Sequence, residues 1–141
     1  MIINLNFRPS LQKFIESHQV KIKDAVYRSL LKSGYLVQGR ARYFAPVDTG
    51  LLRSTITVVG DYSQSLVMVG TNLHYAAYQE FGTGIYAESG GRQTPWVYHS
   101  DKYGFITTSG SPPQPYMRPA LTENLQKIQD NLLREVLNVF K

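Results

Sequence analysis

The chain has 141 residues, 15 Lys and Arg against 10 Asp and Glu, a formal net charge of +5, and no cysteine. That length fits a single domain, residues 1–141, able to bury much of its apolar surface without cross-links, and the missing cysteines exclude disulfides, thiolate metal sites and thiol catalysis. No run approaches a membrane span and the start, Met1 to Pro9, lacks the charged-then-apolar order of a secretion signal, so a soluble chain made in a cytoplasm is expected.

Residues 10–44 predict one long helix. Ser10 follows a proline and suits an N-cap. Leu11, Ile15, Ile22, Val26, Leu30, Val37, Ala41 and Phe44 recur at helical spacing, while Lys13, Lys21, Lys23, Arg28, Lys32 and Arg40 lie mostly off that stripe. Such a helix runs about 50 Å, longer than the roughly 35–40 Å of a compact domain this size. It must bend at Gly34 or Gly39, or project and find neighbours. Residues 1–59 hold nine Lys and Arg against three acids, whereas 60–141 hold six against seven. The basic face this gives the helix suits nucleic acid, an acidic protein, or solubility alone.

Pro46 ends the helix by pushing Ala45 out of the α region. In Pro46-Val47-Asp48-Thr49-Gly50, the Asp48 and Thr49 side chains can accept backbone N–H bonds, Gly50 supplies a turn, and Asp48 or Thr49 would cap a helical turn at Leu51–Arg53. Ser54–Val59 and Ser65–Gly70 flank a turn and predict an antiparallel hairpin. In Tyr75–Gly84, the residues Tyr75, Tyr78 and Phe81 recur every third position, which suits one face of a short helix, and Gly82 and Gly84 close it. Glu80 is a carboxylate among these aromatics and needs partners.

Residues 82–95 form a long glycine-rich loop of the kind that carries function or orders on contact. Trp96–His99 and Phe105–Thr108 predict a second strand pair around a turn at 100–104. Pro112-Pro113-Gln114-Pro115 bars regular structure. Pro119 opens a last helix over about 119–140, with Leu121, Leu125, Ile128, Leu132, Val136 and Val139 or Phe140 as its stripe. The order predicts an α+β fold, with a small antiparallel sheet of about four strands packed by a long N-terminal helix and a C-terminal helix.

No reactive constellation emerges. His18, His74 and His99 share no metal-ligand spacing. Ser100 and Asp101 adjoin His99, but neighbours on a turn point apart, and triads are assembled from distant segments. Gly82-Thr83-Gly84 lacks the Gly-Lys-Ser/Thr of a phosphate loop, and no separation can be read between Glu80 and either Asp48 or Glu88. Tyrosine is unusually dense: ten in all, seven of them between 62 and 116. Tyrosine suits surfaces that are half apolar and half wet, as at interfaces.

Three motifs follow one another along the chain: Ala45-Pro46-Val47-Asp48-Thr49-Gly50 with Leu52-Arg53-Ser54; Tyr75-Ala76-x-Tyr78-x-Glu80-Phe81-Gly82-Thr83; and Pro113-x-Pro115-Tyr116-Met117-Arg118-Pro119-Ala120-Leu121. Together, from about residue 10 to 140, the chain resembles the small tail-component proteins of long-tailed double-stranded DNA bacteriophages, the head–tail joining or neck (tail-completion) family. The resemblance implies a structural virion protein with no enzymatic activity and no cofactor, made in the bacterial host cytoplasm from a phage or prophage gene. Its copies would form a homo-oligomeric ring, hexameric or dodecameric, between the connector and the tail tube or tail terminator. The ring would surround the DNA path, with weak non-specific DNA contact and no membrane.

Carried onto this sequence, the assembly positions implied are Pro46, Asp48, Thr49, Gly50, Arg53, Tyr75, Tyr78, Glu80, Phe81, Gly82, Arg118 and Pro119. Glu80 would pair with Arg118 or Arg53, within the subunit or across a ring contact. The chain departs from the family in its longer Ile85–Gly110 stretch. The alternatives are a small basic nucleic-acid-binding protein using the N-terminal helix, and a tail-terminator ring.

Overall fold

The computed structural model describes residues 9–141, with side chains from residue 16 onward and that of Lys13. Helix α1, Pro9–Phe44, runs 36 residues without interruption through both Gly34 and Gly39. Ser10 lies inside it rather than at its cap, and the Ser10, Leu11 and Ile15 side chains fall outside the described residues.

The buried positions of α1 are small. Ala25, Ser29, Ser33, Val37 and Ala41, continued by Ala45 just past its end, follow one another at every fourth residue, a single ridge of short side chains that lets neighbouring backbones come close. The larger Ile22, Val26 and Leu30 flank this ridge half-buried. Gly34 adjoins it for the same reason: a Cβ there would lie 2.7 Å from Val67 Cγ1. Gly34 is therefore a place of close approach. A Cβ at Gly39 would meet nothing within 4 Å.

After α1 come a short helix α2, Leu51–Thr55, and a hairpin of β1, Thr57–Asp61, with β2, Leu66–Gly70. The helical turn reaches further than the sequence predicts, so the strand begins at Thr57 rather than Ser54. Thr55 Oγ1 donates to the Leu51 and Leu52 carbonyls, which keeps it in the helix. In the hairpin register Val58 faces Val69 and Gly60 faces Val67; this face lies on α1, while Val59, Leu66 and Met68 look outward and stay exposed.

Helix α3, Ala76–Phe81, leads through a 3-10 turn, Gly84–Tyr86, to strands β3, Trp96–Ser100, and β4, Gly104–Thr108. The α+β class holds, but the four strands do not form one sheet. They make two separate two-stranded antiparallel hairpins. The two predicted hairpin pairings are present; what the hydropathy pattern does not say is whether two hairpins join edge to edge.

The C-terminal helix is also divided, into α4, Met117–Thr122, and α5, Leu125–Leu137, followed by a 3-10 turn to Phe140. Asn124 lies between them at φ −111° and ψ 1°, and its amide donates to the Ala120 carbonyl. Both helices pack on α1, on a different side from hairpin β1–β2. The core joins Val37, Ala41, Ala45, Leu52, Ile56, Ala76, Tyr116 and Ala120 at the C-terminal end of α1. All three sequence motifs meet there.

Candidate functional site

Glu80 sits on the last turn of α3, which Gly82 terminates in the left-handed region at φ 76°. Its carboxylate is buried, 5 % exposed, and is pointed at the start of α4. Oε2 accepts from the backbone N–H of Tyr116 at 2.8 Å and of Met117 at 2.9 Å; Oε1 accepts from the N–H of Arg118 at 3.0 Å. These amides are among the donors that a helix start leaves without a partner inside the helix. A carboxylate delivered from 36 residues upstream thus caps α4, which has no cap from its own side chains.

Arg118 closes the arrangement. Its Nε donates to Glu80 Oε1 at 2.9 Å and its Nη2 to the Glu80 carbonyl at 3.0 Å. The other edge of the guanidinium grips Glu88 through two bonds, of 2.8 and 2.7 Å. The Phe81 ring lies under the same guanidinium, 5.0 Å from centroid to Cζ. One arginine therefore ties α3, the loop after it and α4 together. Burial pushes the Glu80 carboxyl up, but the three amides and Arg118 outweigh it and hold the group below the ordinary carboxylate value. Glu88 is lowered chiefly by its bonds to Arg118. Burial, then the nearby Glu80 charge, raises the Tyr116 hydroxyl.

The partner of Glu80 is Arg118 in the same chain. Arg53 instead donates to the Ala45 carbonyl at 3.4 Å, steadying the end of α1. Residues of the first motif, Pro46, Asp48 and Thr49 among them, line a polar cleft of about 350 Å³ together with Tyr75, Gln79 and Gln114. Gly50 takes φ 81° and precedes α2 without a side-chain cap. Thr49 Oγ1 accepts from the Leu51 N–H at 3.4 Å, but Asp48 is exposed and makes no hydrogen bond among the described residues. The expected capping by Asp48 is absent because Gly50, not an Asx turn, makes the reversal. Tyr75 is half-buried against the core, Tyr78 and Phe81 are exposed, and Pro119 falls in the first turn of α4.

Beyond Gly82 the chain makes an excursion closed at its base. Thr83 N–H donates to the Ser111 carbonyl at 2.9 Å, Ile85 N–H to Ser109 at 3.0 Å, and Ser111 N–H to Thr83 Oγ1 at 2.9 Å. Gly84 (φ 60°) and Gly110 (φ 122°) press together so closely that a Cβ on either would run into backbone of the opposite segment. The first half of the 82–95 loop is likewise held, by Glu88 N–H on the Phe81 carbonyl at 3.0 Å and Gly90 N–H on Ala87 at 3.1 Å. This neck and the role of Glu88 were not legible beforehand. The paired glycines flanking a strand pair were the available signal.

Among the described residues no group of His, Asp and Glu could hold a metal ion, and no helix is long and apolar enough to cross a membrane. His99 and Asp101 lie 3.8 Å apart on the β3–β4 turn, both exposed, and Ser100 Oγ accepts from the Tyr103 N–H. Two cations of α1 are engaged by acids of the C-terminal segment, Lys32 with Glu135 at 2.6 Å and Arg40 with Glu123 at 3.3 Å. Lys23 is engaged by the Ser63 carbonyl and the Tyr62 ring.

Compared with known families, residues 10–82, just over half of the chain, match the sequence model of the HK97-gp10-like family, described as "Bacteriophage HK97-gp10, putative tail-component". No curated protein and no solved structure matches the chain.

Proposed function

Because the chain belongs to the HK97-gp10-like family of bacteriophage tail components, we propose that it forms an oligomeric ring at the head–tail interface. The ring joins the connector to the tail and surrounds the DNA path as a neck or tail-completion protein. It is a structural part of the virion and catalyses no reaction.

The observation that carries this reading is the mismatch between core and surface. Among the described residues, five of the nine buried hydrophobic ones are alanine, while more than twice as many large apolar side chains are exposed. A chain with so thin a core gains much of its stability by covering surface against neighbours.

The test is light scattering and negative-stain microscopy of the purified chain, alone and with the connector and tail proteins of the same phage. Rings are expected, with tails that fail to join heads when the gene is disrupted. A chain that stays monomeric in all mixtures, or heads and tails that join without it, overturns the proposal.

A further inference from the structure

The excursion between residues 85 and 109 forms an arm with one face exposed, while Trp96 and Ile106 on the other are half-buried. Its register puts Val97 and His99 with Thr107 and Phe105 on one face, and Trp96 and Tyr98 with Thr108 and Ile106 on the other. No helix packs substantially on either. Phe105 is 81 % exposed and Val97 61 %. A lone two-stranded hairpin is marginal in water, and both its edges present unpaired backbone groups. The arm's four charged residues, Glu88, Arg92, Asp101 and Lys102, cancel, so it lacks the net positive charge that binding a phosphate backbone requires. Its exposed Val97 and Phe105 suit an apolar surface instead.

The same chain offers such a surface. An apolar groove of about 390 Å³ runs between α1, hairpin β1–β2 and the C-terminal helices, lined among others by Leu30, Val37, Val67, Val69, Leu121 and Ile128. Arg118 contributes its only charge, and Glu80 and Glu88 already compensate it. Phe105 of the same chain lies outside this groove, and the glycine clasp at residues 83–85 and 109–111 fixes the direction in which the arm leaves the body.

We propose that the arm of one copy seats Phe105 and Val97 in the α1–β2–α4 groove of a second copy of this chain. Donor and acceptor are different surfaces, so the contact is heterologous and propagates head to tail, as closure into a ring requires. The inference rests on the ring reading above and names the contact that builds it.

The absence of cysteine allows a clean cross-linking test. A chain carrying Phe105→Cys and Leu121→Cys, assembled and then oxidised, should give a ladder of covalent multimers up to the ring, and Phe105→Cys alone should not. A second variant, Val97→Ser with Phe105→Ser, alters only exposed positions. It should melt as the isolated subunit does while the ring is lost from light scattering. Rings that form but neither cross-link nor respond to the double serine variant overturn the arm contact and leave the ring reading standing. A link formed within one chain overturns it as well. A wild-type chain that assembles under no condition removes both.

Discussion

Arg118 holds Glu80 at two points, its side-chain Nε on the carboxylate at 2.9 Å and its Nη2 on the same residue's backbone carbonyl at 3.0 Å. Its outer nitrogens remain turned to Glu88. The inner carboxylate is thus saturated by backbone and guanidinium together, whereas the outer one is half in water. This asymmetry sets what each substitution does.

Glu80→Ala leaves three amide donors at the start of α4 without their acceptor, but Arg118 keeps Glu88 and some access to solvent. The expected loss is about 2–4 kcal/mol, below the upper range for breaking a wholly buried ion pair. Glu88→Ala, at an exposed position, should cost clearly less than Glu80→Ala. Urea denaturation of the two variants checks the order, and equal midpoints would contradict it.

The same group makes stability depend on pH. Its folded value lies below the 4.5 of the free side chain, so the folded state binds the proton less readily than the unfolded one. The stabilisation is complete above that value and is lost as the pH falls through the folded one. Glu80→Gln removes this dependence. The stability gap between wild type and variant should be constant near neutrality and narrow below pH 4.5, read from melting temperatures across that range.

Two glycines of α1 should respond oppositely to alanine. At Gly39 an added methyl meets open space, and removing a helical glycine should raise stability by about 1 kcal/mol. At Gly34 the methyl meets Val67 and Val58 of the hairpin, which should cost about 1–3 kcal/mol through overpacking. Thermal melts of the pair distinguish a packing glycine from a merely tolerated one.

At the neck, Gly110→Ala combines a disfavoured φ with collision against the Thr83 backbone and should cost about 1–3 kcal/mol locally. Hydrogen exchange should show the Thr83, Ile85 and Ser111 amides losing protection while those in the middle of α1 keep theirs. Uniform loss across the chain would mean that the neck is part of the global fold.

Much of this was legible in the residues themselves. The aromatic company of Glu80 marked it as needing partners, and Pro46, Gly82 and Pro119 punctuate the helices where glycine and proline should. What escaped was geometric. Periodicity weights large apolar residues, so the stripe read on α1 favoured Val26 and Leu30 over Ala25, Ser29 and Ser33, which are the ones fully buried. Contact area against closely approaching helices depends on smallness, which hydropathy does not record. Both hairpins were legible from their turns, but whether they join into one sheet escaped for a related reason, since alternation states which face is apolar and nothing about a non-sequential neighbour.

The neck also separates two rates of change. Its grip comes from main-chain groups, one threonine hydroxyl and the bare Cα atoms of two glycines, and none of these depends on what residues 86–108 spell. Beyond Glu88 and Gly91, which also hold the base, residues 92–108 are therefore free to diverge, or to be exchanged whole for another segment of the same span, with the body left undisturbed. A phage could readdress this component by replacing a cassette and keeping its socket.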